Sequence, residues 1–326
     1  MICLGIESTA HTFGCGIIND KGRIYTNVID AYKTEKGGIH PSEAKQHHEE
    51  IKDKVVEDAL KNANLKLNAI DLISFSQGPG IAPCLLVGMK KAKELANKLN
   101  VPLVGVNHCI AHLEIGKLMT KAKDPVLLYA SGANTQIIAY ESGKYRVFGE
   151  TLDQGVGNFL DQFARYIGLG FPGGPKIEKL ALNGKDYIEL PYVVKGMDVS
   201  FSGILTNLKQ KFDSKKFSVE ELAYSMQETV FAMLVEVSER AMAHTGKNEL
   251  VLGGGVACNR RLQQMCRIMC DERNGKFFVP PNEMLVDNAV MIGWLGILQR
   301  KEATKKYDKM DIKPYERTDD VIVTWR

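Results

Sequence analysis

The amino-acid sequence predicts an α/β protein made of two related halves with a cleft between them. Apolar strand-like runs alternate with amphipathic helical segments, the pattern of a sheet with parallel pairs. The strand–turn–strand–turn–strand block Cys3–Val28, "CLGIESTAHTFGCGIINDKGRIYTNV", returns in length and punctuation at Val126–Thr151, "VLLYASGANTQIIAYESGKYRVFGET". A further buried strand runs into Gly253, Gly254 and Gly255 and then a helix, in "ELVLGGGVACNRRLQQM". Such a junction lets a ligand approach the backbone at a helix N-terminus, although tight strand–helix packing alone also explains it.

Taken in order, "ICLGIES", "TFGCGIIND" and "GRIYTNVID" read as three strands, with turn signals at Ser8–His11 and Asp20–Gly22. After the loop "YKTEKGGIHPSE", a polar helix is expected over Ala44–Asn62, where Ile51, Val55, Val56, Ala59 and Leu60 recur at helical spacing. His47 and His48 open it, as a plain surface pair or as residues facing a ligand. The strand "LISFSQG", a helix through Lys98 and the strand "PLVGV" follow. In the repeated block, the small-residue turns offer backbone N–H groups of the kind that cradle phosphate oxygens.

The 326 residues, 44% apolar and 25% charged, fit a soluble globular chain long enough for two domains. The N-terminus has no secretory character, and the longest apolar stretches fall short of the roughly 20 residues a membrane span needs. The seven cysteines form no Cys-x-x-Cys pair, so reduced core thiols in a cytoplasmic protein are expected. With 42 Lys and Arg against 39 Asp and Glu, the chain does not coat nucleic acid by charge alone. Local basic runs remain at Lys90–Lys98, Lys209–Lys216 and Arg300–Lys306, normally solvated faces.

One stretch raises a question of chemistry. "GVNHCIAHLEIG" places His108 and His112 four residues apart, on one face of a helix, where both imidazoles can hold one metal ion. In the His-Glu-x-x-His zinc peptidases a glutamate follows the first histidine; here Cys109 does. By themselves the two histidines read equally well as ligands and as helix-surface or capping residues. No Ser/His/Asp arrangement stands out.

The motifs "GIESTAHTFGCGI", "GGIHPSEAKQHH", "NHCIAHLEIG", "SGANTQI", "FPGGPKIEKLA", "SFSGI" and "GGGVACNRRL" occur in this order along the chain. Together they resemble the tRNA threonylcarbamoyladenosine synthase family over essentially its whole length. The likeness is to the archaeal and eukaryotic branch, the catalytic subunit of the KEOPS complex, once labelled a sialoglycoprotein endopeptidase. The resemblance implies the actin-like ATPase fold (the fold of sugar kinases, Hsp70 and actin), with two duplicated βββαβα lobes around a nucleotide cleft. It places an N-terminal lobe at residues 1–125 and a C-terminal lobe at 126–326, with a helical insertion near 150–240. It implies transfer of a threonylcarbamoyl group from threonylcarbamoyl-AMP to N6 of the adenosine beside the anticodon in tRNAs reading ANN codons.

The family's metal ligands fall on His108, His112, Tyr129 and Asp287, a nitrogen and hard-oxygen set suited to Fe(II) and less distinctively to zinc. Without the resemblance Tyr129 reads as core. The donor positions carry over to Tyr129, Ala130, Ser131, Gly132, Ala133, Asp161, Gly174, Glu178 and Asn259. The family pattern has a glycine where Ala133 stands, a strain if that position needs positive φ. Glu7 stands where many actin-like ATPases carry a metal-linked aspartate. No catalytic residue is implied beyond the metal site. Implied partners are tRNA, threonylcarbamoyl-AMP (with ATP or AMP analogues able to occupy the site), a small atypical kinase and small accessory KEOPS subunits; a membrane is not among them. A metallopeptidase and a nucleotide-sensing scaffold are the competing classes.

Overall fold

The computed structural model describes residues 1–34 and 38–326. Glu35, Lys36 and Gly37 of the loop before the polar helix lie outside the described residues. The chain opens with β1 (Ile2–Glu7), β2 (Thr12–Asn19) and β3 (Ile24–Ala31), an antiparallel meander. Then come α1 (Pro41–Asn62), β4 (Leu72–Gly78), α2 (Ala82–Leu99), β5 (Leu103–Asn107) and α3 (His108–Thr120). β4 lies parallel to β1, and β5 parallel to β4, giving a five-stranded sheet of order β3-β2-β1-β4-β5.

The second half repeats this plan. β6 (Val126–Ala130), β7 (Thr135–Glu141) and β8 (Lys144–Glu150) form the meander. A helical stretch follows: α4 (Val156–Tyr166), α5 (Gly174–Ala181), a short hairpin of β9 (Val194–Lys195) and β10 (Asp198–Val199), α6 (Ser202–Asp213) and α7 (Val219–Thr245). Next are β11 (Glu249–Gly253), α8 (Arg260–Glu272), β12 (Lys276–Phe278), α9 (Asn282–Leu285) and α10 (Ala289–Leu298). The sheet order is β12-β11-β6-β7-β8, with β11 parallel to β6 and to β12. Each strand therefore has a counterpart of the same direction in the first sheet.

The core falls into three apolar clusters. One joins the outer face of the first sheet to α1 and α2, through Leu4, Phe13, Phe75, Val55, Leu95 and neighbours. One joins the second sheet to α4–α8, through Leu128, Phe159, Phe201, Phe231 and Cys266. The third lies between the sheets and draws on both, with Val106, Ile110, Tyr129, Val251, Val290 and Ile292. The two central helices are exchanged: α3 packs on β11 of the second sheet, while α10 packs on β1, β2 and β4 of the first. Gly5, Gly16 and Gly293 make that second contact close, since a Cβ on Gly5 would stand 2.4 Å from the Gly293 nitrogen.

Beyond α10 the chain runs along both sheets. Thr304 bridges to Leu103, Lys313 N donates to Gln77 O (2.7 Å), and Asn107 Nδ2 donates to Glu316 Oε2 (3.1 Å). Farther on, Arg317 pairs with Glu150 (3.0 Å), Ile322 bridges to Lys144, and Trp325 Nε1 donates to Glu114 Oε1 (2.9 Å). No helix is long and apolar enough to cross a membrane among the described residues.

Candidate metal centre and nucleotide turn

α3 begins where β5 ends. The Asn107 side chain caps it, accepting from the amides of Cys109 (3.0 Å) and Ile110 (3.2 Å), which satisfies donors a helix start leaves open. His108 is thus the first helical residue, and His112 sits one turn later on the same face. α10 begins in the same manner: Asn288 accepts from Met291 N (2.9 Å) and donates to Val286 O (2.9 Å), fixing the loop that carries Asp287.

These caps bring four side chains from distant segments together. The ligand atoms of His108, His112 and Asp287 lie within 4.8 Å of one another. Nε2 of each histidine is 3.3 Å from Asp287 Oδ1. Tyr129, at the end of β6, places its hydroxyl 3.1 Å from His108 Nε2 and its ring 4.9 Å from that of His112. Both histidines and Tyr129 are buried, and the Asp287 side chain is 20% exposed.

Charge around the group is arranged for a cation. Burial opposes protonation of His108, but Glu7, Tyr129 and Asp287 outweigh it and hold its pKa well above the ordinary imidazole value. Burial and the neighbouring His108 hold His112 below that value, in the neutral form that ligates metals. Burial would raise the Asp287 pKa, yet the two imidazoles pull it well below the carboxylate range. Two imidazole nitrogens, a phenol and a carboxylate converging on one point fit a metal ion by donor chemistry. Glu7 Oε2 lies 3.0 Å from His108 Nδ1, on the far side of the ring from Asp287. That is the carboxylate–histidine arrangement that orients a metal-binding imidazole, and it gives Glu7 a partner 101 positions away that no local pattern displays.

Neither Glu7 nor Glu114 is free to serve as the base a peptidase would need. Glu7 is taken up by His108 and by the Thr9 amide and hydroxyl. Glu114, on α3, is held by Tyr145, Trp325 and Lys117.

Beside the metal group, residues Ala130–Asn134 form the turn of the second meander. Ser131 N and Oγ donate to Asn134 O at 2.9 and 3.0 Å. The first amides of α4 donate to it, Gly157 to Ser131 O (3.0 Å) and Asn158 to Gly132 O (2.9 Å). Three glycines let other backbone press against the turn. A Cβ on Gly155 would stand 2.3 Å from Gly132 O, one on Gly157 2.8 Å from Ser131 O, and one on Gly254 2.3 Å from Ala130 O. Gly254 also has φ +89°. Gly132 and Ala133 are exposed, and among the described residues no hydrogen bond engages their amides. Ala133 is not among the non-glycine residues with positive φ, so the methyl group there brings no backbone strain.

The remaining expected donor residues form an adjoining wall. Asp161, on α4, accepts from Gly173 N (2.6 Å), and burial raises its pKa against that hydrogen bond. Gly174 starts α5, with open space where a Cβ would stand. Glu178 Oε1 accepts from Arg260 N (2.8 Å), tying α5 to α8. Asn259 is engaged at both ends: its carbonyl oxygen caps α8 through Arg261 N and Leu262 N, and its amide donates to Gln227. It contributes by fixing the start of that helix.

His48 is not a surface residue. It is fully buried against Phe13, with its pKa lowered to about 4 by burial and by His47; His47 reaches Asp30 (3.1 Å). Among the basic runs, Lys91 is buried and ion-paired with Asp53 and Glu94.

The model of the TsaD family, tRNA N6-adenosine threonylcarbamoyltransferase, matches residues 23–294. A tRNA N6-adenosine threonylcarbamoyltransferase of Thermococcus kodakarensis is 56% identical over 326 residues, covering all of both chains. The chain belongs to the TsaD family. A probable bifunctional tRNA threonylcarbamoyladenosine biosynthesis protein of Methanothermobacter thermautotrophicus is a further relative, 53% identical, of which this TsaD chain covers 61%. Among solved structures, HypF of Thermococcus kodakarensis superposes with TM-score 0.65 at 17% identity, over 92% of this chain and 48% of that one. Component A of the Acidaminococcus fermentans (R)-2-hydroxyglutaryl-CoA dehydratase does so with TM-score 0.57 at 13% identity, over 92% and 99%. The fold of this TsaD chain is thus the actin-like ATPase one.

Proposed function

We propose that this chain transfers the threonylcarbamoyl group of threonylcarbamoyl-AMP to N6 of the adenosine beside the anticodon in tRNAs reading ANN codons, releasing AMP. The observation that carries the reading is the meeting of His108, His112, Tyr129 and Asp287 beside the open turn Ser131–Asn134, in a chain 56% identical end to end to a transferase of that name.

The donor is a mixed anhydride, so its phosphate is already a good leaving group, whereas an adenine amine is a poor nucleophile. Catalysis is therefore positioning and charge stabilisation. The free amides of Gly132 and Ala133 suit the donor phosphate. Glu178 has one carboxylate oxygen committed to the Arg260 amide and one left to accept from a ribose hydroxyl, while Asp161, held by the amides of Gly173 and Gly174, is the second carboxylate suited to the ribose. The open side of Gly174 admits the ligand to the backbone, and Asn259 holds the α8 start that faces it. N6 bonds to the carbamoyl carbon, the carbon–oxygen bond to phosphate breaks, and the N6 proton departs. His108, His112, Tyr129 and Asp287 would hold a metal ion, which when bound would supply Lewis-acid stabilisation of developing negative charge; the donor set favours Fe(II), with zinc the alternative. Glu7 fixes the His108 ring and its tautomer for that task.

The chain is read as an N-terminal lobe at residues 1–125 and a C-terminal lobe at 126–326 with a helical insertion near 150–240, a reading the repeated strand order supports. The family resemblance supports assembly with the small kinase and accessory subunits of KEOPS, and seven free thiols together with a tRNA substrate support a cytoplasmic setting. The test is to incubate the chain and its partners with threonylcarbamoyl-AMP and unmodified tRNA, with His108→Ala alongside. Wild-type transfer, with both metal content and transfer lost in the variant, is expected. Equal transfer by the variant would remove the metal role.

A further inference from the structure

Tyr315 is the most exposed large apolar side chain among the described residues, at 93%. It does not stand on a loose loop. The preceding segment is pinned to the end of β4: Pro314 O accepts from Gly80 N (3.1 Å), and Lys313 O packs against Gly78 so closely that a Cβ there would be 1.9 Å away. The following residue, Glu316, accepts from Asn107 and pairs with Lys313 (2.7 Å). Asn107 immediately precedes His108, so the tyrosine is two residues of contact from a metal ligand. Beside it lies an open concavity of about 430 Å³ lined by Lys313, Pro314, Tyr315, Glu316 and Asp320.

We propose that Tyr315 is a stacking platform for an unpaired base of the acceptor RNA, one that flanks the target adenosine in the anticodon loop. A phenol ring on a fixed backbone gives up little conformational freedom on binding, and bases of single-stranded RNA are held chiefly by stacking on such rings. The charges around it are largely spent on one another: Lys313 on Glu316, and Arg317 on Glu150 and Asp319. The platform is therefore a base reader and not a phosphate clamp. Both Glu316 oxygens are engaged, by Lys313 and Asn107; Asp320, which lines the concavity and holds the Arg317 amide with Oδ2 (3.1 Å), has Oδ1 left to accept from an exocyclic amine on the stacked base. This surface rests on the transferase reading, because it takes its RNA from that reaction.

The test uses the assembled protein, threonylcarbamoyl-AMP, unmodified tRNA and the variants Tyr315→Ala and Tyr315→Phe. Tyr315→Ala raises the KM for tRNA about tenfold, with the KM for the donor, the metal content and the melting temperature unchanged. Tyr315→Phe, which keeps the ring, behaves as wild type. The slope of RNA affinity against salt stays the same in Tyr315→Ala, since no phosphate contact is lost. In parallel, the fluorescence difference between Tyr315→Trp and wild type falls on titration with a synthetic anticodon stem–loop. An unchanged KM for tRNA in Tyr315→Ala, or a weakened hold on a protein subunit with RNA affinity intact, overturns the proposal and leaves the transferase reading standing. Absence of transfer by the wild type overturns that reading instead, and the stem–loop titration then decides the surface by itself: a fall supports it and no change overturns it.

Discussion

The two meanders share strand order and direction, yet their first turns have opposite fates. In the first half, Ser8 and Thr9 are 1% and 3% exposed. Ser8 N donates to Ser76 Oγ (2.9 Å), and Glu7 reaches inward to His108. In the second half, Gly132 and Ala133 stay exposed, with their amides free, while α4 and Gly254 brace the turn from behind. One copy is buried and holds His108 through Glu7, and the other is left open with two free amides. The two copies thus differ in burial, with the backbone plan unchanged.

If that division holds, damage to either turn should separate metal binding from donor binding. The largest effect belongs to the residue between the halves: Asp287→Ala lowers kcat/KM for transfer by at least about 100-fold, read with metal content measured on the same sample. Next is Glu7→Gln, which leaves the fold and the donor KM intact while weakening metal affinity by roughly 10- to 100-fold; an unchanged affinity would mean the first turn does not serve the metal. Third is a matched pair of glycine substitutions. Gly155→Ala pushes on Gly132 O and raises the donor KM about tenfold. Gly88→Ala pushes on Ser8, whose Oγ would be 2.0 Å from the new Cβ, and should act on metal binding instead. Identical kinetic signatures for the two would erase the distinction.

The succession of strands along the chain, both turns and the histidine pair were legible in the sequence because each rests on local signals: period-two apolar runs, small-residue turns, and i to i+4 spacing. Glu7 on His108 and Gly155 behind Gly132 were not, since both contacts exist only once the sheets have folded. His48 misled for the same reason. "QHHEE" looks like a solvated helix start, but α1 crosses beneath β2 and carries His48 onto Phe13. Asn259 was legible as a residue that matters, while its action as a helix cap needed the short turn Gly255–Cys258 that precedes it.

Two smaller effects sharpen the contrast. Burial works to raise the Asp153 pKa, but Ser200 Oγ and the amides of Ser202, Phe201 and Gln154 donate to it and hold it well below the ordinary 3.8. Because its folded value is depressed, its contribution to stability is complete above about pH 5 and is lost as the pH falls further. Asp153→Asn should therefore flatten the fall in denaturation midpoint between roughly pH 5 and pH 2, and a curve parallel to wild type would exclude this role. The smallest effect is expected of Ala133→Gly: donor KM as in wild type, with stability lower by about 0.5 kcal/mol from the freer unfolded chain, measured by urea unfolding.

The exchange of the central helices has a mechanical consequence. His108 and His112 ride on a helix that issues from the first sheet and leans on the second, and Asp287 stands at the head of the helix that does the reverse. The site therefore lies where the two halves cross, like the pin of a pair of scissors. Were one sheet to swing against the other, the turns at the blade tips would sweep the farthest and the pin would scarcely travel. Such a swing would part the two turns while His108, His112 and Asp287 stayed together.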